Sequence, residues 1–370
     1  MAQNDLTQGS ITGNISRFSL PYMLSYFLQI LYGLADMFVI GQYCGVDSTT
    51  AVANGAQIMH MFTVILIGLA MGTTVRLGRA IGAKDKNEAS KTIGNTFTLF
   101  ALTAIVATFI LLLANRSIVS MIDTPPEAVK GTIAYLRICF IGIPFIIAYN
   151  IIASIFRGLG DSKSPMYFVI VACVANIALD YIFIGHFGLG PSGAALGTTL
   201  SQMISVIIAA IVIRKNSLLN ISGQDLRPER RTMGGILKIG IPVALQDGFI
   251  QIAFIAITAI ANGRGLNDAA AVGIIEKFIG LLFIVPSAML ATVSAMAAQN
   301  IGAKRPERAR KTMEYAIAIS VGFGTVAAVT LQFIPEYAVR IFTSDSTVIT
   351  LGGQYLKGYV WDCIFAGIHF

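Results

Sequence analysis

Acidic and amide side chains inside long apolar stretches are the residues of this sequence whose types suggest chemistry. Asp36, Asn176 and Asp180 each interrupt such a stretch, and Thr198 lies near the start of another. Asn176 and Asp180 are four residues apart, so in a helix they share one face. Carboxylate, amide and hydroxyl oxygens are suitable ligands for a small hard cation, and a buried carboxyl group can also take up and release a proton. The pattern therefore predicts a site for Na⁺ or H⁺.

A structural role is the alternative for the same residues. Asp36 lies near the outer end of its apolar stretch and could reach interfacial water, whereas Asn176 and Asp180 could join neighbouring helices by hydrogen bonds. An Asp at the centre of a bilayer costs about 2.5 to 3.5 kcal/mol on insertion scales. Because two carboxylates and an amide occur here without a basic residue in the same stretches, the functional interpretation is favoured.

A second group of polar residues occurs in the later part of the chain. Its members lie in apolar surroundings: Gln246, Asp247, Gln251, Glu276 and Asp362. They are candidates for lining a cavity that accepts organic cations. Solvated helix ends or a structural ion pair are the alternative explanation for them.

Sequence motifs of enzymes and of metal centres are absent. Cys44, Cys139, Cys173 and Cys363 lie far apart, without the spacing that metal ligands or redox motifs show. The sequence contains no phosphate-binding P-loop and no HExxH motif. We therefore expect neither an enzyme nor a cofactor, and no metal beyond a coupling Na⁺.

The composition indicates that lipid covers most of the protein surface. Hydrophobic residues make up 55% of the 370-residue chain, charged residues only 12%, and the mean hydropathy is +0.74. Soluble domains carry about 25% charged residues. We identify ten apolar runs long enough to cross a hydrocarbon core about 30 Å thick. They cover residues 18–41, 52–75, 93–114, 132–155, 166–184, 194–213, 236–261, 270–296, 316–333 and 348–370.

The distribution of Lys and Arg predicts how these spans are oriented. Most of the 26 basic residues fall in segments that share one side of the membrane if the N-terminus is cytoplasmic, while the loops of the other side hold Arg116, Lys130, Arg264 and Arg340. Cytoplasmic loops carry the excess of basic residues. We therefore expect a multi-pass protein of a bacterial-type inner (cell) membrane with a cytoplasmic N-terminus. Nucleic-acid binding is not expected, because the basic residues are scattered and not interleaved with aromatic ones.

An internal repeat divides the chain into two similar halves. At an offset of 220 residues, Ile81–Lys84 matches Ile301–Lys304, and Tyr135–Arg137 corresponds to Tyr355–Lys357. A unit of six spans begins and ends on the same side, so the two copies are related by an axis along the membrane normal. Transporters built from such repeats bind substrate between the halves.

The repeat predicts an all-α, polytopic membrane protein with two pseudo-symmetric six-helix bundles. Residues 1–213 form the first bundle, residues 214–235 a cytoplasmic linker, and residues 236–370 the first four helices of the second bundle. Two spans of the second copy are missing. We therefore expect the sequence to be a fragment of a twelve-helix protein.

Several stretches resemble the multidrug and toxic compound extrusion (MATE) family. The segment Leu34–Gly41 is similar to the family's signature around an aspartate of the first helix, and Arg157–Pro165 resembles its inner connection between the fourth and fifth helices. The most specific likeness lies in Asn176–Phe183 together with Gly188–Thr198. The resemblance extends over essentially the whole chain.

This resemblance implies two helical bundles that face each other across a central cavity. It implies the export of small-molecule drugs or toxins, amphipathic and often cationic, driven by the entry of Na⁺ or H⁺. It places the cation site of the first bundle on Asp36, Asn176, Asp180 and Thr198. We expect the protein to act as a monomer in the bilayer.

Two other transporter types are the alternatives. A lipid-linked oligosaccharide flippase of related fold would need a cavity rich in Arg or Lys for pyrophosphate, and the apolar runs contain almost no basic residues. A major-facilitator-type transporter also has two six-helix halves. Its usual loop motif, Asp-Arg followed by Gly-Arg-Arg, does not occur in Gly78–Lys86.

Overall fold

Helices make up almost all of the chain that the structure describes. The computed structural model describes residues 5–122, 124–215 and 222–369, so that residues 216–221 of the predicted linker lie outside it. Within these ranges there are fourteen α-helices, one short π-helix (Tyr181–His186) and no β-strand. The α-helices are α1 (Ile11–Tyr43), α2 (Val46–Gly82), α3 (Lys86–Met121), α4 (Pro126–Ile141), α5 (Ile143–Gly158), α6 (Lys163–Asp180), α7 (Gly190–Lys215), α8 (Arg230–Arg264), α9 (Leu266–Leu282), α10 (Ile284–Gly302), α11 (Pro306–Phe333), α12 (Pro335–Arg340), α13 (Ser346–Tyr359) and α14 (Asp362–His369).

The predicted fold class, an all-α polytopic membrane protein, is confirmed. Eight stretches of the described chain are long and apolar enough to cross a membrane, and a ninth is added if the bent pair α4 and α5 counts as one span. The predicted tenth run, residues 348–370, instead forms two short helices, α13 with 14 residues and α14 with 8. α14 extends to the last described residue, His369.

Helix breaks fall inside three predicted spans: one lies at Phe283 between α9 and α10, and the other two lie at equivalent positions of the two copies. The first break, at Gly142, bends α4 against α5 by 51°. Pro144 accounts for it, because proline cannot donate a backbone hydrogen bond and its ring crowds the preceding turn. The second break lies at Val360 and Trp361, and Trp361 corresponds to Ile141 at the offset of 220 residues. The duplication thus extends to helix breaks that the hydropathy pattern did not predict.

The turns that follow α2 and α10 share one backbone conformation. Lys84 and Lys304 both have a φ of 58°. Each donates its backbone N–H at 3.0 Å to the carbonyl three residues earlier, Lys84 to Ile81 and Lys304 to Ile301. A left-handed residue at a helix end satisfies carbonyl groups that the helix leaves unpaired. The sequence repeat therefore reflects a repeated structure.

Helices α1–α7, here called the first bundle, and helices α8–α14, here called the second bundle, meet backbone to backbone at the end that carries these two turns, here called the closed end. A Cβ atom on Gly82 would collide with the carbonyl oxygen of Gln299, and one on Gly302 would collide with the carbonyl oxygen of Arg79. The contact is therefore reciprocal between the two copies. It depends on glycine at both positions.

Glycines also allow α2 and α8 to approach each other near the closed end. A Cβ on Gly72 would collide with the carbonyl of Ile236, and one on Gly240 with the carbonyl of Leu69. These contacts again join the first bundle to the second. The closed end carries the basic turns that the sequence pattern assigns to the cytoplasm.

Candidate functional site

The predicted cation site lies inside the first bundle and draws on three helices. Asp36 belongs to α1, Asn176 and Asp180 form the last turn of α6, and Thr198 belongs to α7. Asp36 is 6% exposed, Asn176 1% and Asp180 0%. The Thr198 hydroxyl donates to Oδ2 of Asp36 at 3.3 Å, across 162 positions of sequence. The fold thus gathers the polar residues that the sequence pattern singled out.

Most polar atoms of this site have no partner in the described chain. Asp36 lies beside Asp180 and Asn176. Even so, Oδ1 of Asp36, both carboxylate oxygens of Asp180 and both amide atoms of Asn176 are buried without a hydrogen bond to any described residue. The four ion pairs of the described ranges involve neither carboxylate. Burying an ionised carboxyl group without a partner is strongly unfavourable. A proton or a small monovalent cation between the two carboxylates would remove that cost.

The backbone around Asp180 is shaped to bring its carboxylate close to α7. α6 ends at Asp180 and the chain continues as the π-helix Tyr181–His186, and single π-helical turns are frequent at functional sites. On α7, a Cβ at Gly197 would collide with Oδ1 of Asp180. Gly197 is therefore part of the site, although it contributes no ligand atom of its own side chain.

If the site binds a cation as the sequence predicts, replacing Gly197 by alanine is expected to weaken that binding about tenfold, because overpacking costs about 1 to 3 kcal/mol and the added methyl group displaces the Asp180 carboxylate. The measurement is the Na⁺ or H⁺ concentration that half-saturates dye efflux. Gly33→Ala in α1 is the matched control, since nothing lies within 4 Å of the Cβ position there. Equal half-saturation in the two variants would contradict the role given to Gly197.

Tyr135 of α4 belongs to the same neighbourhood, although no sequence pattern marked it as functional. It is 2% exposed, and its hydroxyl is close enough to Asp36 and Asp180 to interact with them electrostatically. Its ring occupies the space that Gly55 of α2 leaves open. In the sequence, Tyr135 stands out only as part of the internal repeat, because its approach to the carboxylates depends on how α4 packs against α2.

A cavity in the first bundle offers aromatic rings, hydroxyl groups and amides. Its lining comes from α1, α2, α5 and the start of α6: Tyr22, Ser25, Tyr26, Gln29, Ile67, Tyr149, Asn150, Arg157, Ser162 and Pro165. The Arg157 guanidinium lies 5.7 Å from the centroid of the Tyr22 ring and donates to Ser154 at 2.7 Å. The sequence did not reveal this cavity, because its residues come from several helices and follow no single spacing.

Three of the polar residues predicted to line a cavity for organic cations lie on α8. Gln246, Asp247 and Gln251 are half-buried there. Asp247 faces the first bundle, since its Oδ2 lies 2.7 Å from the Cβ position of Gly68 on α2. Tyr26 of α1 is within its electrostatic range. Asp247 therefore lies at the interface between the two bundles.

The other two, Glu276 and Asp362, lie within the second bundle beside aromatic rings. Glu276 accepts a hydrogen bond from the Thr258 hydroxyl at 2.7 Å, which joins α9 to α8. Asp362 lies beside Tyr359, whose ring centroid is 6.2 Å from that of Phe254. Asp247 thus lies at the bundle interface, whereas Glu276 and Asp362 lie beside aromatic side chains of the second bundle.

Comparison with known proteins gives matches along nearly the whole chain. The MatE family model matches residues 21–182 and residues 242–370. The probable multidrug resistance protein YpnP of Bacillus subtilis (strain 168) is 29% identical over 373 residues, which cover 100% of this chain and 83% of YpnP. The probable multidrug resistance protein YoeA of the same organism is 26% identical, over 97% of this chain and 79% of YoeA.

A solved structure supports the same relationship in three dimensions. The crystal structure of a MATE protein in complex with MaL6 superposes with a TM-score of 0.85 at 25% identity, covering 100% of this chain and 82% of that one. The two segments matched by the family model begin at Pro21 and Pro242, so the family match follows the duplication. The chain belongs to the MatE family of multi-pass membrane proteins, which are secondary transporters and not enzymes.

Proposed function

We propose that this chain is a multidrug exporter that exchanges Na⁺ or H⁺, held between Asp36 and Asp180, for amphipathic organic cations. The observation that carries the proposal is the buried pair of adjacent carboxylates, whose oxygens no basic side chain of the described chain neutralises. Contacts that served only to hold helices together would pair these atoms. The multidrug resistance proteins YpnP and YoeA, to which the chain is similar over most of its length, support export of drugs.

The cation acts on three helices at once. Without it, the two carboxylates repel each other across the space between α1 and α6. A proton or Na⁺ cancels one of the two negative charges, which removes the repulsion and lets α1, α6 and α7 approach, with the Thr198 hydroxyl already bonded to Asp36. An ion drives such a change only through a difference in its affinity for the two states. The site therefore favours one arrangement of the first bundle when the cation is bound and another when it is absent.

Aromatic rings and carboxylates supply the contacts for the exported compound. A cation over a ring gains about 0.5 to 2 kcal/mol. Tyr22 and Tyr26 line the small first-bundle cavity, which in this arrangement has room only for a water-sized group, and Asp247 lies at the bundle interface close to Tyr26. In the second bundle, Glu276 and Asp362 lie beside further aromatic side chains. Acids at these places favour organic cations over the pyrophosphate that a lipid-linked oligosaccharide flippase would bind.

The protein acts as a monomer in the bacterial plasma membrane, with its N-terminus and its closed end in the cytoplasm. The basic turns at the closed end support this orientation, because cytoplasmic segments carry the excess of Lys and Arg. The family match excludes the major-facilitator alternative.

Dye transport into inside-out vesicles, driven by separately imposed Na⁺ and pH gradients, tests the proposed exchange. We expect ethidium to accumulate when one of the two gradients is directed out of the vesicle lumen, because lumen-side cation binding at the Asp36 and Asp180 carboxylates drives the counter-movement. Collapse of that gradient with the matching ionophore should stop accumulation at once.

Vesicles without the protein provide the baseline for this measurement. Ethidium transport that responds to neither gradient would overturn cation exchange. Transport of a fluorescent lipid-linked sugar with no transport of ethidium would instead support the flippase alternative.

A further inference from the structure

The segment that precedes α1 crosses from the first bundle to the second. Residues 5–10, here called the first strap, present three consecutive backbone carbonyls to side chains of the second bundle. Asn300 donates to the carbonyl of Leu6 at 3.4 Å, Arg305 to that of Thr7 at 2.7 Å, and Arg308 to that of Gln8 at 2.9 Å. All three donors lie at the closed end, around the turn between α10 and α11.

The first strap is anchored by an apolar side chain as well. Leu6 is only 2% exposed. It packs in one apolar cluster with residues of α1, α10 and α11: Ile15, Phe18, Met289, Ala295, Met296 and Ala316. Burial of a whole leucine side chain adds to the three hydrogen bonds. The strap is therefore a docked element of the closed end.

The segment that precedes α8 makes the reverse crossing. Residues 222–229, the second strap, lead into the second bundle but bond to α3 of the first. Asn95 donates to the carbonyl of Asp225 at 3.2 Å and accepts from the backbone N–H of Glu229 at 2.7 Å, and Thr98 donates to the carbonyl of Leu226 at 2.7 Å. Each strap thus precedes the first helix of one bundle and is hydrogen-bonded to the other bundle.

The two straps are equivalent under the internal repeat, while the side chains that hold them are not. Asp5-Leu6 of the first strap corresponds to Asp225-Leu226 of the second at the offset of 220 residues. The positions equivalent to Arg305 and Arg308 are Asp85 and Glu88, which cannot donate from their carboxylates. Both copies of the repeat therefore have a strap that crosses to the other bundle, but different side chains donate the hydrogen bonds that hold each strap.

We propose that the two straps form a clasp that holds the closed end shut and that must release whenever the bundles separate at that end. Every strap bond named above joins one bundle to the other, so none can persist when the bundles part. Alternating access requires that separation, because the bundles move against each other around the substrate site. The clasp sets how readily the closed end opens, and it does so independently of which cation or drug is bound.

A cysteine reporter at the closed end tests the clasp. Ala298 is 3% exposed and lies against Gly78 across the bundle interface, so a cysteine there is protected while the end is shut. In the full chain with its native cysteines replaced, the labelling rate of Ala298→Cys by a membrane-impermeant maleimide is measured in inside-out vesicles. Arg305→Ala combined with Arg308→Ala is expected to raise that rate about fivefold or more, because two charge-assisted hydrogen bonds are lost.

A charge-matched control variant and a variant of the second strap complete the test. Arg310→Ala with Lys311→Ala removes the same charge from the exposed face of α11 and is expected to leave labelling unchanged. Thr98→Val weakens the second strap without removing a charge and is expected to raise labelling in the same direction. If both strap variants label at the rate of the Arg310 and Lys311 control, the clasp is refuted. No cation gradient or drug is present, so this outcome leaves the proposed exchange untouched.

Discussion

Replacing Asp180 by asparagine is expected to abolish cation-coupled export while the protein stays folded in the membrane. Asparagine keeps the shape of the side chain and removes the charge that binds the cation. Hydrogen bonds to charged groups contribute about 1.5 to 3 kcal/mol, so efflux should fall at least about tenfold. Because asparagine has nearly the same shape as aspartate, the substitution keeps the packing of residue 180 against Gly197 of α7. Ethidium efflux from cells that lack other exporters measures the loss.

Asp36→Asn should cause the same loss, and the double substitution should be no worse than either one. Two residues that hold a single ion act as a unit, so their effects do not add. Asp47→Asn, at an exposed position near the start of α2, is the control for removing one acidic group and should export normally. Wild-type efflux in both Asp36→Asn and Asp180→Asn, at equal protein level, would remove the proposed coupling site.

Much of the proposed cation site can be predicted from the sequence, because polar and charged residues are energetically costly inside apolar spans. Packing explains the apolar side chains of a span, but it does not explain a carboxylate among them. Asp36 and Asp180 can therefore be recognised as candidate functional residues from the sequence alone. The spacing of Asn176 and Asp180 then places both on one helical face. What the spacing could not predict is that the two apolar runs bring these side chains together.

The residues that the sequence did not mark are those whose role arises from packing between helices. Gly197 matters because the Asp180 carboxylate occupies the space where a Cβ would be, and Tyr135 matters because α4 lies beside α2 at Gly55. A glycine or tyrosine in an apolar span is ordinary by composition. Only the three-dimensional contact distinguishes these positions from their neighbours.

The internal repeat was predicted more accurately than the number of helices, and the reason is physical. Hydropathy reports how long a run remains apolar, and that length does not change when a helix breaks inside the run. The break at Gly142 has a local cause in Pro144, whereas the one after Tyr359 has no proline beside it. The short helices α13 and α14 were therefore read as one span.

Replacing Gly82 by valine is expected to keep the closed end from shutting and to lower export at least about tenfold. A side chain at this position meets the backbone carbonyl of Gln299, which cannot rotate away as a side chain could. Overpacking of this kind costs about 1 to 3 kcal/mol, and about 1.4 kcal/mol changes a two-state population tenfold. Efflux and the labelling rate of Ala298→Cys are measured together, and labelling should rise as efflux falls.

Gly302→Val should reproduce this phenotype, since Gly302 meets the carbonyl of Arg79 in the reciprocal contact. Gly322→Val is the control for placing valine at a helical glycine, because nothing lies within 4 Å of its Cβ position. Loss of export without increased labelling would mean that the glycines support folding, not closure. Normal export by both Gly82→Val and Gly302→Val would show that the bundles close without this backbone contact. We expect equal effects on export at positions 82 and 302, because both glycines lie in the one contact surface where the two turns meet.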